Sequence, residues 1–423
     1  MSWLLIPVFI TMVIGVPLSV CLGLGTLAYL VFTQQLPMSV LYQRLYMGAA
    51  NYPLMAIPFF ILAGDLMNRS GITKRLVEFA KVIFGRIKGG LSIVLVFTGT
   101  VFAGLSGSAT ADTAALLKIM GPSMIKERYG KNFTAALSAC AGTLGPIIPP
   151  SALMIVYGAT MNVSISGMFM GGILPGFLIA ILLMGVAYFI GLKNEHPRSD
   201  IPFTFPRLFT GFKDAILALI MPVIILVGIR GGVFTPTEGG AIAVAYALAI
   251  GFLVYRTLTF KDLIDSAITS GITAAIIMLI VATSNPFGWV LSINRATEFV
   301  VELITNFTTN KFAILFLINA VLLIIGMVLE GAAIVILLGP ILAPLAISVG
   351  VDPVHFGVIF VINVCIGMVT PPVGVNLFVA IPMVNTNIAD ITKAVIPFLA
   401  ALLVALMLIT YIPKITLLLP TLF

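Results

Sequence analysis

Apolar stretches of membrane-crossing length recur along this chain, and the charged residues are confined to short clusters between them. Of 423 residues, 60% are hydrophobic and 9% charged, where a soluble domain carries about 25% charged residues. So little charge cannot cover a core of this size in water, and the solvent of the folded chain is lipid. Period-two alternation at barrel-strand length is absent, so the fold class is all-α, a polytopic transmembrane helical protein. Lys and Arg number 22 against 15 Asp and Glu. That surplus lies in the loops, where it reports topology and not a nucleic-acid partner. Cys21, Cys140 and Cys365 fall inside apolar runs at unrelated spacings, and the histidines are His196 and His355. Neither a disulfide framework nor a His-based metal centre is expected. Met1-Ser2-Trp3 lacks the basic start of a signal peptide, so the first span is expected to be retained.

Spans are predicted near 4–32, 51–67, 167–192, 214–229, 239–255, 266–290 and 394–418. Four further runs do not fit that scheme. Residues 91–103 and 113–125 flank Gly104-Leu105-Ser106-Gly107-Ser108-Ala109-Thr110-Ala111-Asp112, and 312–329 and 332–345 flank Glu330-Gly331. In the first pair each run is short of the ~20 residues of a crossing, and each pair reads as a re-entrant hairpin. The stretches 133–160 and 354–383 are long enough to cross but contain Pro149-Pro150 and Pro371-Pro372. Proline removes a backbone donor and blocks the preceding turn, so both read as discontinuous helices.

The charges test this topology. With a cytoplasmic N-terminus and hairpins that return to their side of origin, 17 of the 22 basic residues fall inside. Arg44, Arg230, Arg295, Lys311 and Lys414 remain outside, in agreement with the positive-inside rule. The single membrane unit of residues 1–423 then holds two inverted repeats. The first spans 51–192 with its hairpin at about 91–125, and the second 266–418 with its hairpin at about 312–345. Residues 193–265 supply a connecting loop and scaffold spans. Each repeat carries an amphipathic arm, 70–88 or 294–309, the first expected to rest on anionic lipid. Inverted repeats with broken helices mark secondary transporters, with the site near the midplane. No nucleotide-binding motif is present, so ion coupling is expected, no organic cofactor is called for, and no catalytic pair can be named.

Helix breaks at membrane depth leave backbone groups that protein, water or an ion must satisfy. Unwound carbonyls suit Na⁺, and half-helix N-termini suit anions. The tip Ser106-Gly107-Ser108-Ala109-Thr110 and the breaks at Gly142–Ser151 and Thr370–Asn376 are therefore the candidate sites. Asp112 and Glu330 lie at the two tips, where an ionisable group is a gating or ion-coupling candidate. For Asp112 the alternative of capping the returning limb stays open.

Glu330-Gly331, Gly339-Pro340, Thr370-Pro371-Pro372-Val373-Gly374-Val375-Asn376-Leu377 and Gly104-Leu105-Ser106-Gly107-Ser108 together resemble the large membrane subunit of TRAP (tripartite ATP-independent periplasmic) transporters. The resemblance covers essentially the whole chain. It implies an elevator mechanism, Na⁺ as coupling ion, a separate small four-helix membrane subunit, a soluble periplasmic substrate-binding protein and a bacterial inner-membrane location. It also implies organic-acid cargo of the sialic acid or C4-dicarboxylate class. On this reading Ser106, Gly107, Gly145, Pro149, Gly326, Gly331, Thr370, Pro371 and Gly374 surround Na⁺, while Ser108, Thr110, Ser151 and Asn376 meet the substrate. The alternative is a proton-coupled carboxylate transporter of the same architecture that needs no binding protein, with Asp112 or Glu330 as proton carrier.

Overall fold

The structure, a computed structural model, describes residues 2–34, 37–198 and 204–422, and among these every regular element is helical. Residues 199–203 of the connecting stretch lie outside that description. The chain opens with α1 (Ser2–Val13) and α2 (Leu18–Thr33), where hydropathy predicts one crossing over 4–32. Gly15 at φ +89° and Pro17 end the helix between them. Gly25 then admits Val8 and the Leu4 carbonyl, and the rings of Trp3 and Phe32 stack at 4.4 Å. The expected first span is thus a third hairpin, because α1, at about 18 Å, reaches little more than half of the ~30 Å hydrocarbon core.

Next come α3 (Ser39–Ala49) and α4 (Ala56–Arg69), bent by 50° around Asn51–Pro53, and the amphipathic arm α5 (Ile72–Phe84). The first of the predicted hairpins is α6 (Gly90–Ser106) with α7 (Ala109–Lys126). The first broken helix is α8 (Lys131–Gly142) with α9 (Ala152–Met161), unwound over 143–151, and α10 (Ile165–Lys193) crosses back. Then follow α11 (Phe205–Arg230), α12 (Pro236–Leu248) with a π-helical extension to Val254, and α13 (Phe260–Ile293). From α13 the order repeats. An arm α14 (Ala296–Phe307) precedes the hairpin α15 (Lys311–Gly326) and α16 (Gly331–Ser348). The broken helix α17 (Pro353–Gly367) and α18 (Val375–Val384) leads into α19 (Ile388–Tyr411) and a short α20 (Lys414–Leu422). Pro149–Pro150 and Pro371–Pro372 are both cis.

Two further expectations change. The span predicted at 394–418 stops at Tyr411, since Pro413 cannot continue the helical ladder, and α20 lies back against α10 with the Thr416 carbonyl beside Gly171. The expected cytoplasmic N-terminus presumed a single crossing over 4–32, which the α1–α2 hairpin replaces. Asn294, just beyond α13, donates from Nδ2 to the Tyr29 hydroxyl at 2.9 Å, while the start of α13 sits beside Arg69 through Asp262 at 3.6 Å. The hairpin therefore returns the N-terminus to the end of the bundle opposite Arg69 and its basic neighbours.

The repeats interlock at their broken elements. Gly331 packs on Leu153 and Val364, and Asn376 Nδ2 reaches the Ala139 carbonyl at 3.4 Å. Lys131 Nζ closes the far end of α18 on the Asn385 carbonyl at 2.7 Å. These contacts tie α7–α9 to α16–α18 as one body. α6, the other limb of the first predicted hairpin, touches α4 and α11 where small residues permit: a Cβ on Gly64 would lie 2.7 Å from the Leu105 carbonyl, and one on Gly104 3.0 Å from Pro222 Cγ.

Candidate functional site

A cavity of about 820 Å³ lies between both predicted hairpin tips, α4, α13 and the α1–α2 turn. At the first tip Gly107 adopts φ +65°, and a Cβ there would stand 3.2 Å from the Pro150 carbonyl, so glycine lets the tip rest on the first broken helix. Ser108 caps α7, accepting from the Ala111 N–H at 3.5 Å, and its hydroxyl is 3.4 Å from that of Thr110. Ser106, Gly107, Ser108, Thr110 and Glu330 all line the cavity. Glu330 caps α16, accepting from the Ala332 N–H at 3.2 Å, and stays exposed to the cavity.

Asp112 has a different part from capping, since Ser108 holds that position. It is fully buried and neither carboxylate oxygen has a hydrogen bond of ordinary geometry, with the Ser106 side chain as a looser polar neighbour. Its Oδ2 occupies the space where a Cβ on Gly145 would go, and the Ser108 carbonyl oxygen is 3.1 Å from that point. An orphaned carboxylate between a hairpin tip and an unwound glycine fits a small cation. Pro149 adds its carbonyl beside Gly104, 3.3 Å from a Cβ placed there.

The second break is more closed. Gly374, at φ +62°, donates its N–H to the Met327 carbonyl at 3.0 Å, and the Asn376 N–H donates to the Met368 carbonyl at 3.0 Å. The Thr370 hydroxyl donates to the Ile366 carbonyl at 2.7 Å, and Pro371 is half-buried. Gly326 meets Gly367 where α15 crosses α17, with a would-be Cβ 3.0 Å from the Gly367 Cα, so close helix packing accounts for this glycine. Gly331 opens α16 and packs against Leu153 and Val364.

Two residues expected to meet the substrate lie outside the cavity lining. The Ser151 hydroxyl is buried, donates to the Pro146 carbonyl at 2.5 Å and caps α9 at the Met154 N–H. Asn376 is fully buried against α8. Neither lines the cavity.

Residues that sequence reasoning missed form the opposite wall: Asp65 and Asn68 on α4, and Thr269, Ser270 and Thr273 on α13. Ser266, Thr269, Ser270 and Thr273 stand at i, i+3, i+4 and i+7 in the first half of α13, a legible signal of one polar face. Arg69 holds Asp65 at 2.9 Å and approaches Asp262 at 3.6 Å and Asp265 at 4.0 Å near the start of this wall. The described lining includes no Arg, Lys or His. What favours an anion there is backbone: α7, α9 and α16 all begin at the cavity, through Ala109, Ala152 and Ala332, and each helix start carries partial positive charge. A separate hollow of about 720 Å³ lies at the other end of the bundle, around Asn51, Asn162 and Thr235, and shares no lining residue with the first.

The profile of the family described as "Tripartite ATP-independent periplasmic transporter, DctM component" matches residues 5–415. The chain is 40% identical over 404 residues to the isethionate TRAP transporter permease protein DctMQ of Oleidesulfovibrio alaskensis, covering 96% of this chain and 64% of that longer protein. It is 37% identical over 414 residues to the sialic acid TRAP transporter large permease protein SiaM of Vibrio cholerae, covering 97% and 96%. It is also 36% identical to the 2,3-diketo-L-gulonate TRAP transporter large permease protein YiaN of Escherichia coli, covering 96% and 95%. In fold it is similar to the Alcanivorax borkumensis YdaH transporter, with a TM-score of 0.64 at 15% identity over 88% of each chain.

Proposed function

Because the chain belongs to the DctM component family of tripartite ATP-independent periplasmic transporters, we propose that it is the large permease subunit of a sodium-coupled carrier importing an organic acid. The observation that carries this reading is the convergence of three helix N-termini and the Ser108 and Thr110 hydroxyls on one cavity without a cationic side chain. Such a surface holds an anion by backbone N–H groups and hydroxyls, and lets it leave again.

Na⁺ would sit beside Asp112, Ser108 and Gly145, with a second ion near Thr370 and Gly374. As cotransported ions these would organise the unwound segments and so raise anion affinity, a coupling through one binding-competent state. The interlocked hairpins and broken helices would move as a body against α4, α11 and α13, an elevator stroke of which this arrangement would be the inward-facing end. The cavity reaches Asn68 and Thr269, beside the basic loops that the charge rule assigns to the cytoplasm. A small membrane subunit would widen the scaffold, and a soluble periplasmic binding protein would deliver cargo. Relatives named for isethionate, sialic acid, 2,3-diketo-L-gulonate and C4-dicarboxylates make small organic acids of these classes the cargo to try.

The test is uptake by proteoliposomes that hold the chain with its membrane partner. An inward Na⁺ gradient plus binding protein should drive accumulation, and Na⁺ ionophore should abolish it. Accumulation driven by a pH gradient, without Na⁺ or binding protein, would replace this reading with the proton-coupled one, in which Asp112 or Glu330 carries the proton.

A further inference from the structure

A further hollow, of about 720 Å³, lies at the basic end of the bundle, where the α7–α8 turn meets the end of α10. It shares no lining residue with the central cavity. Lys126, Arg128 and Arg198 line it, together with Glu127, Glu195 and His196. Both helix ends are closed by their own backbone. The N–H groups of Glu127 and Tyr129 donate to the Ser123 and Met124 carbonyls, and those of Asn194 and His196 to the Ile190 and Gly191 carbonyls, all at 2.9–3.0 Å. The two ends are also joined to each other. The Tyr129 hydroxyl donates to the Pro197 carbonyl at 3.1 Å, and the buried His196 ring lies 4.4 Å from that of Tyr129.

That closure leaves the cations without an intramolecular task. Basic side chains near a helix C-terminus ordinarily serve its last carbonyls, and here backbone N–H groups already hold those of both helices. Among the described residues, none of Lys126, Arg128 and Arg198 has a carboxylate within 4.0 Å. On the membrane side, the last turns leading into the hollow expose Ile125, Phe189 and Leu192. Cations, carboxylates and an apolar approach suit a membrane-anchored zwitterion. A phosphodiester accepts paired N–H groups from arginine, an ammonium donates to carboxylates, and acyl chains rest on the exposed apolar residues. A ligand that is only anionic would meet like charge at Glu127 and Glu195.

We propose that this hollow seats the headgroup of an ethanolamine phospholipid from the leaflet at the basic end, with its phosphate on Arg128, Arg198 and Lys126 and its ammonium on Glu127 and Glu195. Basic pockets between helices at the cytoplasmic face hold lipid headgroups in this way. A lipid seated there bridges the α7–α8 turn and the end of α10, and so reinforces from outside the join that Tyr129 and His196 make within. It takes no part in holding cargo, and stands whether or not the carrier reading above does.

The experiment titrates the purified chain in detergent with dioleoyl-phosphatidylethanolamine and counts bound lipid by native mass spectrometry. Parallel titrations use the phosphatidylcholine and phosphatidylglycerol of the same chains, and glycerophosphoethanolamine, which is the headgroup without chains. The first ethanolamine lipid should bind saturably and more tightly than choline lipid, whose methyl groups replace the N–H donors, or glycerol lipid, which has no ammonium. Arg128→Asn, which suits the left-handed backbone at φ +63°, and Arg198→Gln should each weaken that binding about fivefold. Glu127→Gln should narrow the preference for ethanolamine over glycerol lipid. Lys118→Gln, on α7 but outside the hollow, should change nothing, and Lys126→Gln replaces any arginine variant that fails to fold. Equal weakening by Lys118→Gln, or none in the folded hollow variants, overturns the site. Equal affinity for the three lipids overturns the headgroup assignment, and glycerophosphoethanolamine binding as tightly as the lipid overturns the membrane source.

Discussion

Replacing Asp112 with asparagine should trade sodium response for intrinsic stability. The carboxylate is fully buried with no hydrogen bond of ordinary geometry, and a buried charge stripped of its partner costs on the order of 3–5 kcal/mol. A Na⁺ beside Ser108 and Gly145 would offset that cost. Binding to the native state stabilises by about 2.7 kcal/mol at one hundred times Kd. With roughly 2.1 cal/mol/K of unfolding entropy per residue and 423 residues, the melting point of the unmodified protein should rise by about 3 °C. The assay is thermal unfolding of purified protein in NaCl against choline chloride and KCl at equal ionic strength. Asp112→Asn should melt above the unmodified protein in choline, because the unpaired charge is gone, and should gain less than about 1 °C from Na⁺. Retention of the full sodium gain by the asparagine variant would refute the argument. An equal gain in KCl would do the same, since the site would then not discriminate the ion.

Three other outcomes are expected. Gly64→Ala would place a methyl 2.7 Å from the Leu105 carbonyl and 2.8 Å from Ser106 Cα; overpacking of about 1–3 kcal/mol should cut uptake at least fivefold while size-exclusion elution stays monodisperse, and unchanged uptake would show that α4 need not meet the first tip. His196, in the loop after α10, is buried between Tyr129 and Phe133 with ring centroids 4.4 and 5.1 Å away, and that burial lowers its pKa from the ordinary 6.5. The unfolded chain then takes up the proton first, so stability should be full above about pH 6.5 and fall as the pH drops through the folded pKa; His196→Phe should remove that part of the acid loss in a pH series of melting curves, and an identical series would rule the histidine out. Finally, cysteines at Ser2 and Lys414 should be labelled by a membrane-impermeant thiol reagent from the same side, and one at Arg128 from the other, because the α1–α2 hairpin returns the N-terminus to the end where α19 finishes.

Much of the architecture was legible because it follows from solvent and from local backbone chemistry. A chain this apolar must cross lipid, and in lipid the backbone must be helical. The runs on either side of Gly107 and Glu330, and the double prolines at 149–150 and 371–372, mark hairpins and breaks by residue type alone. The N-terminal hairpin escaped for a physical reason: the first basic residue is Arg44, so the charge rule is silent on what precedes it, and Gly15 with Pro17 resembles an ordinary kink until Trp3 is seen against Phe32. Composition also cannot say where a polar side chain points. Ser151 and Asn376 share residue types and breaks with plausible ligands, yet one caps α9 and the other docks on α8. Conversely, Thr269, Ser270 and Thr273 look like helix-packing residues, and they become a wall only because α13 passes opposite the first hairpin tip. The sequence by itself determined the solvent, the helices and their breaks, since each depends on neighbours a few residues away. Only the tertiary structure decided the cavity, because Leu18, Ser108, Ser270 and Glu330 are brought around one space by contacts between helices far apart in the chain.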